Sequence, residues 1–164
     1  MKNLRMLCSA ECANQDHFSP EFHQKGGDMN EIVVHYNTLL IGSAGLVGLM
    51  LVQLLTADVA GLVSKHIPGT AVPQNHASFL FRANRALANT NESIALYVLL
   101  LVLLILTESD PILSGYAAMT FLGGRVLHSI CYWFDLRIAR SITFVVILGG
   151  LLWMFGVLLQ TLME

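Results

Sequence analysis

Two groups of polar side chains lie inside apolar stretches of this sequence, and their spacing places each group on one helical face. The first occurs in FRANRALANTNES and the second in GGRVLHSICYWFDLR. At about 100° per residue, the first group spans about 80° of a helix surface and the second about 60°. The groups are Arg82, Arg85, Asn89 and Glu92, followed by Arg125, His128 and Tyr132. Several arginines beside one acid favour binding of a small anion, because internal pairing leaves positive charge uncompensated.

Charged residues within a membrane span are costly, by about 2.5 to 3.5 kcal/mol each on insertion scales, so they usually face a bundle interior or a wet cavity. The structural alternative is that these side chains pair with one another and only fix helix packing. Gly123 and Gly124 remove side chains beside Arg125, which allows another helix or a ligand to approach closely.

The elements that carry both groups are predicted to be membrane helices. The chain has 164 residues, is 55% hydrophobic and 12% charged, and has a mean hydropathy of +0.63. Each of four apolar segments is long enough to cross a bilayer. The short connections TESDP and DLRIAR require antiparallel neighbours, so the sequence predicts an all-α, integral membrane, up-down-up-down four-helix bundle. The predicted membrane domain is 29–164, with spans at about 34–63, 76–107, 112–134 and 141–163.

Basic residues near the loops predict the orientation of the bundle. Lys65, followed by Arg82 and Arg85, marks one connection, and Arg137 and Arg140 mark another. Loops 64–75 and 135–140 are therefore predicted to be cytoplasmic, in an inner or plasma membrane. The net charge of −2 and the lack of a basic cluster argue against a nucleic-acid partner.

Residues 1–28 differ from the rest, because they are polar and lack helical periodicity. This segment is predicted to be a disordered extension, and Met29 is a natural beginning for the membrane domain. Its cysteines and histidines have a weak zinc-like spacing, and no metal site is predicted. They are Cys8, Cys12, His17 and His23. Cys131, within a span, is expected to be a packed and inert thiol.

The motifs RANRALANTNE and GGRVLHSICYWFDLRIARSITF resemble the membrane-associated proteins in eicosanoid and glutathione metabolism, the MAPEG family, over about residues 34–164. The order and spacing of both motifs make the resemblance specific, and the chain resembles a bacterial-type microsomal glutathione transferase. The resemblance implies a homotrimer that binds glutathione between neighbouring subunits near the cytoplasmic face. It also implies a lipophilic small-molecule substrate that enters from the lipid bilayer.

Carried over by position, Arg85, Asn89 and Glu92 match the family's glutathione-holding residues on the second helix, and the second group of polar residues matches the polar face of the third helix. Arg140 matches the arginine implicated in activating the glutathione thiol, and Tyr132 is expected to position the thiol or the electrophile. These two are the predicted catalytic residues. The predicted glutathione-binding residues are Arg82, Arg85, Asn89, Glu92, Arg125, His128 and Arg137.

Four positions depart from the pattern of the relatives that make eicosanoids, so eicosanoid substrates are not implied. Apolar or small residues stand where those relatives often have polar, basic or tyrosine side chains: Leu87, Ala88, Ser93 and Phe144. The basic residue expected near the end of the first span is also missing, and Asp58 there is expected either to pair with an arginine of the second helix or to contact ligand.

Three functional hypotheses follow from these residues together with the resemblance. The first is a glutathione-dependent transferase or peroxidase that acts on lipophilic electrophiles or lipid hydroperoxides. The second is a non-enzymatic lipid- or partner-binding membrane protein of the same fold, supported by Leu87, Ala88 and Ser93. A channel or transporter ranks third, because the sequence has no broken helices or repeated halves.

Overall fold

The computed structural model describes residues 29–164. Within it, 29–35 are helical and belong to a unit separate from residues 36–164. The predicted disordered extension and the zinc-like spacing lie outside the described residues. The all-helical fold class is confirmed for the part of the chain that the structure describes.

Four long helices account for most of residues 36–164. They are α1 (Asn37–Val63), α2 (Phe79–Leu106), α3 (Pro111–Trp133) and α4 (Arg137–Met163). Both α2 and α3 pack against all three of the other helices, and α3 makes its most extensive contact with α4. The apolar core consists mainly of leucine, alanine and aromatic side chains, including the stacked rings of Tyr97 and Phe121, whose centroids are 4.8 Å apart.

Three of these helices, α1, α2 and α4, are long and apolar enough to cross a membrane. The fourth predicted span, α3, is not among them, although it has 23 residues. Arg125 and His128 lower its hydropathy, and both are buried against the other helices rather than exposed. The sequence therefore predicted the helix correctly, but only the other three helices are apolar enough to cross a membrane by themselves.

Three helices, α1, α2 and α3, end in the same kind of tight turn. In each turn, the residue after the C-cap has a positive φ: 52° at Lys65, 52° at Glu108 and 55° at Asp135. Its N–H and the next N–H both bond back to carbonyls of the last helical turn, as in a Schellman motif. Glycine usually occupies this position. Because lysine, glutamate and aspartate occupy it here, the sequence carries no glycine signal for these turns.

The start of α4 differs from the predicted boundary. The helix begins at Arg137, four residues before the predicted span, because its first turn extends beyond the apolar segment. Arg137 and Arg140 consequently lie on a helix rather than in the predicted loop at 135–140.

Close packing of α3 on α4 depends on glycine. A Cβ added at Gly150 would lie 2.9 Å from the Phe121 backbone nitrogen, and one added at Gly124 would lie 3.1 Å from the Ile147 backbone nitrogen. Because backbone atoms cannot move aside as a flexible side chain can, a methyl group at either position would push the helices apart. The prediction that the glycines beside Arg125 allow a helix to approach is confirmed for Gly124.

Candidate functional site

Tyr132 is the point at which α2, α3 and α4 bring polar groups together. Asn89 Nδ2 on α2 donates to the Tyr132 hydroxyl oxygen at 2.7 Å. The Arg140 guanidinium carbon, on the first turn of α4, lies 4.6 Å from the centroid of the Tyr132 ring, as in a cation–π contact. Since Asn89 uses an acceptor site of the hydroxyl, the hydroxyl hydrogen remains able to donate to a further group. This arrangement fits an anion that accepts from Tyr132 and lies in the field of Arg140.

His128 fixes the beginning of α4 next to this point. The Thr143 hydroxyl donates to the Arg140 carbonyl at 3.0 Å and lies 2.9 Å from His128 Nδ1. Because the hydroxyl proton is used in that bond, Thr143 accepts from His128 Nδ1–H. The His128 and Tyr132 rings also pack in a T-shaped arrangement, with centroids 5.2 Å apart. His128 therefore joins α3 to the turn of α4 that carries Arg140.

Arg125 is the most deeply buried cation among the described residues, with 3% of its surface exposed. Its Nη2 donates to the Ser93 hydroxyl, and its guanidinium lies 5.3 Å from the centroid of the Phe121 ring. Glu92 attracts it electrostatically, but no ion pair forms between the two. The Nε of Arg125 is buried without a partner. Ser93, one of the departures from the family pattern, is therefore part of the link between α2 and α3.

Arg85 and Glu92 project from the outer side of α2, where both are exposed. Within residues 29–164, neither side chain forms an ion pair or a hydrogen bond with another group, so the internal pairing considered from the sequence does not occur for these two, whereas Asn89 and Tyr132 do pair. Arg85 borders a groove of about 550 Å³ whose wall includes Gln74 from the connection between α1 and α2. An exposed cation and an exposed anion on one helical face suit a ligand that carries both charges.

Arg82 and Arg137 are placed differently from the other predicted binding residues. Arg82 Nη1 donates to the carbonyls of His76 and Ala77 at 2.7 and 3.0 Å, so its guanidinium is occupied by the chain itself. Arg137 is exposed, and its contact with Asp135 is long, at 3.9 Å. Such exposed pairs contribute little to stability. A role for either arginine in binding glutathione stays a prediction.

Gln53 on α1 is a polar residue that the sequence reasoning passed over. It is fully buried, and its Nε2 donates to the hydroxyls of Thr90 on α2 and Ser129 on α3 at 3.0 and 2.6 Å. The signal in the sequence was a lone amide in the apolar run GLMLVQLL. Asp58, which was expected to pair with an arginine or contact ligand, is exposed and forms no ion pair within the described chain.

Comparison with known proteins gives the family. The sequence model of the MAPEG family matches residues 39–160, about three quarters of the chain. The chain is therefore a multi-pass integral membrane protein, and it belongs to the MAPEG family, which includes glutathione-dependent transferases and peroxidases as well as other members. No curated protein and no solved structure matches the chain significantly.

Proposed function

We propose that this protein is a glutathione-dependent membrane enzyme, which conjugates lipophilic electrophiles or reduces lipid hydroperoxides. The observation that carries the proposal is the convergence at Tyr132, where a hydroxyl able to donate and the Arg140 guanidinium approach the same point. A thiol attacks an electrophile as its thiolate, and a hydrogen-bond donor together with a nearby cation favours that anion.

In this proposal Arg140 stabilises the glutathione thiolate and Tyr132 orients it by donating a hydrogen bond. For conjugation, the sulfur forms a bond to an electrophilic carbon, and either a leaving group departs or a proton is added to the neighbouring atom. The protein holds the two reactants together, so proximity and electrostatics supply the catalysis.

The charges along α2 would hold the rest of glutathione. Arg85 suits a carboxylate, because a guanidinium can donate two parallel hydrogen bonds to it, and Glu92 suits the amine. The exposure of both side chains in one subunit favours a site that a neighbouring subunit completes. We therefore propose a homotrimer of four-span subunits, of the bacterial microsomal transferase type, with this end of each bundle on the cytoplasmic side.

The proposed fourth span is α3. Its buried polar face supports this assignment, since a helix enclosed by α1, α2 and α4 exposes less of its polar surface to lipid than a separate span would.

A second candidate function is non-enzymatic lipid binding. It is favoured by an apolar groove of about 490 Å³ between the end of α1 and the start of α2, lined by residues such as Leu55, Val59 and Phe79. A groove of this kind suits an acyl chain, and it requires no thiol chemistry.

The test is glutathione-dependent turnover by the purified full-length protein in detergent, with an aryl halide and an organic hydroperoxide as second substrates. Equilibrium binding of radiolabelled glutathione is measured in parallel. Turnover that is lost in Arg140→Ala and kept in the neighbouring Ser141→Ala supports the enzyme. Saturable binding of glutathione without turnover of either second substrate favours the lipid-binding alternative. The absence of glutathione binding refutes the proposed enzyme function.

A further inference from the structure

Gln53 lies at the only buried junction of polar side chains that joins three helices within residues 29–164. Its side chain is inaccessible to solvent, and its Nε2 bonds to hydroxyls on two other helices, Thr90 and Ser129. A polar group buried in a membrane helix is costly to leave unpaired, so these bonds hold α1, α2 and α3 at fixed distances there.

The amide orientation follows from the neighbouring bonds. The Thr90 hydroxyl donates to the Ala86 carbonyl at 3.2 Å, and the Ser129 hydroxyl donates to the Arg125 carbonyl at 2.8 Å. Both hydroxyls have used their protons, so each accepts from Gln53 Nε2. This orientation leaves Gln53 Oε1 buried without a hydrogen-bond partner. The two hydrogen bonds that Nε2 donates therefore fix the amide orientation, even though the oxygen stays unpaired.

The two hydroxyls lie beside the residues that meet at the candidate site. Thr90 directly follows Asn89 on α2, and Ser129 lies three residues before Tyr132, on the same side of α3. The amide therefore bridges α2 and α3 at the level where Asn89 and Tyr132 form their 2.7 Å hydrogen bond. A shift of one helix along the other would therefore disturb both connections.

We propose that Gln53 is a positioning residue, which sets α2 against α3 so that Asn89 orients the Tyr132 hydroxyl. Gln53 contacts neither Tyr132 nor Arg140 through a hydrogen bond, and it acts through the two hydroxyls. The importance of this position for catalysis rests on the proposed function. The position of the helices does not, so it can be measured without a ligand.

The experiment uses ¹⁹F NMR of the full-length protein in detergent with 3-fluorotyrosine at its four tyrosines. Fluorine beside the hydroxyl reports the hydrogen bonding of that hydroxyl. Tyr132→Phe assigns the resonance, and Asn89→Ala gives the position of the resonance when the hydrogen bond is absent. The test variant is Gln53→Met, which keeps the side-chain volume nearly unchanged and removes both donated bonds.

The matched control is Ser43→Ala, close to the start of α1. Ser43 also makes a cross-helix hydrogen bond, to the Tyr97 hydroxyl at 2.8 Å, but at a distance from the site along the helix. This variant should move the Tyr97 resonance and leave that of Tyr132 in place.

The expected result is that Gln53→Met moves the Tyr132 resonance at least halfway to its position in Asn89→Ala. An unchanged Tyr132 resonance in Gln53→Met overturns the inference, because the remaining contacts would then hold the helices without the amide. The inference is equally overturned if Asn89→Ala itself leaves the resonance unchanged. Should Gln53→Met fail to fold, Ser129→Ala and Thr90→Val remove the acceptors singly, and each must move the resonance in the same direction.

A second measurement connects the position of the helices to activity. With glutathione and an electrophile, Gln53→Met should lower turnover on the order of ten- to a hundredfold, as expected for a reacting group displaced by about 1 Å. Turnover equal to that of the wild type, together with a displaced Tyr132 resonance, would overturn the positioning role. If the wild type binds no glutathione, the proposed enzyme function fails while the NMR comparison still decides the structural claim.

Discussion

Replacement of Arg140 by alanine should raise the pKa of the thiol of bound glutathione. The Arg140 guanidinium carbon lies 4.6 Å from the Tyr132 ring centroid. A sulfur that accepts from the Tyr132 hydroxyl would be on the order of 5 Å from that charge, where the attraction is about 0.8 kcal/mol in water and about 3 kcal/mol at an effective dielectric constant of about 20. Arg140 is partly exposed, so the attraction falls between these limits.

An attraction of about 2 kcal/mol corresponds to a pKa lowered by about 1.5 units. A free thiol with a pKa of about 8.5 is about 3% ionised at pH 7, and the same thiol with a pKa of about 7 is about half ionised. Because the lowered pKa favours the thiolate, the difference in thiolate fraction between the wild type and Arg140→Ala is greatest at a pH between their two thiol pKa values. The difference disappears at a pH above both values.

The assay is ultraviolet difference absorption of the glutathione thiolate on the purified protein, titrated from pH 5 to 10. We expect the midpoint to move upward by about 1.5 units in Arg140→Ala, with a signal at pH 7 that is about fifteenfold smaller. Arg140→Lys keeps the charge and should retain part of the effect, and Ser141→Ala is the neutral neighbour. An Arg140→Ala midpoint equal to that of the wild type, at proven saturation with glutathione, would refute the electrostatic reasoning.

Three further predictions separate binding from stability. Arg85→Ala should weaken glutathione binding on the order of ten- to a hundredfold, because a charge-assisted hydrogen bond is lost. Arg82→Ala should mainly lower the melting temperature, because the Arg82 guanidinium binds backbone carbonyls. Calorimetry measures both affinity and melting temperature, and equal affinity losses in the two variants would contradict the distinction. Gly150→Ala should destabilise the protein by about 1 to 3 kcal/mol through its clash with the α3 backbone, and Gly149→Ala, with open space around it, is the control that should not. Asp110→Ala should cost about 1 kcal/mol, because Asp110 caps the first turn of α3, and an unchanged unfolding midpoint in detergent would count against this.

Apolar run length and helical periodicity were sufficient to predict the helices and the two polar faces. The same periodicity placed Asn89 and Tyr132 on the polar faces of α2 and α3, and the structure shows that a hydrogen bond joins the two side chains. Periodicity alone could not show that Arg82 turns back onto backbone carbonyls, because that depends on the path of the connection before α2. It also could not distinguish Arg85, which is exposed, from Arg125, which is buried.

The hydrogen bonds by which Gln53 joins three helices could not be predicted from the positions of charged residues. A single amide in an apolar run has no periodic partner, and its two acceptors lie 37 and 76 residues away in the sequence. The ends of α1, α2 and α3 were predicted to within one residue, but the turns that follow them were not, since Lys65, Glu108 and Asp135 adopt a backbone conformation that the sequence signals only when glycine is present.

The polar character of α3 has a consequence for biosynthesis. In the proposed four-span arrangement, α3 is the span least able to leave the translocation machinery unaided, because Arg125 alone disfavours insertion by about 2.5 to 3.5 kcal/mol at the centre of a helix. Only three residues separate α3 from the strongly apolar α4, and Gly124 and Gly150 bring the two backbones together. The pair would therefore enter the bilayer as one helical hairpin, so a chain that stops after α3 should fail to integrate its third span until α4 is supplied.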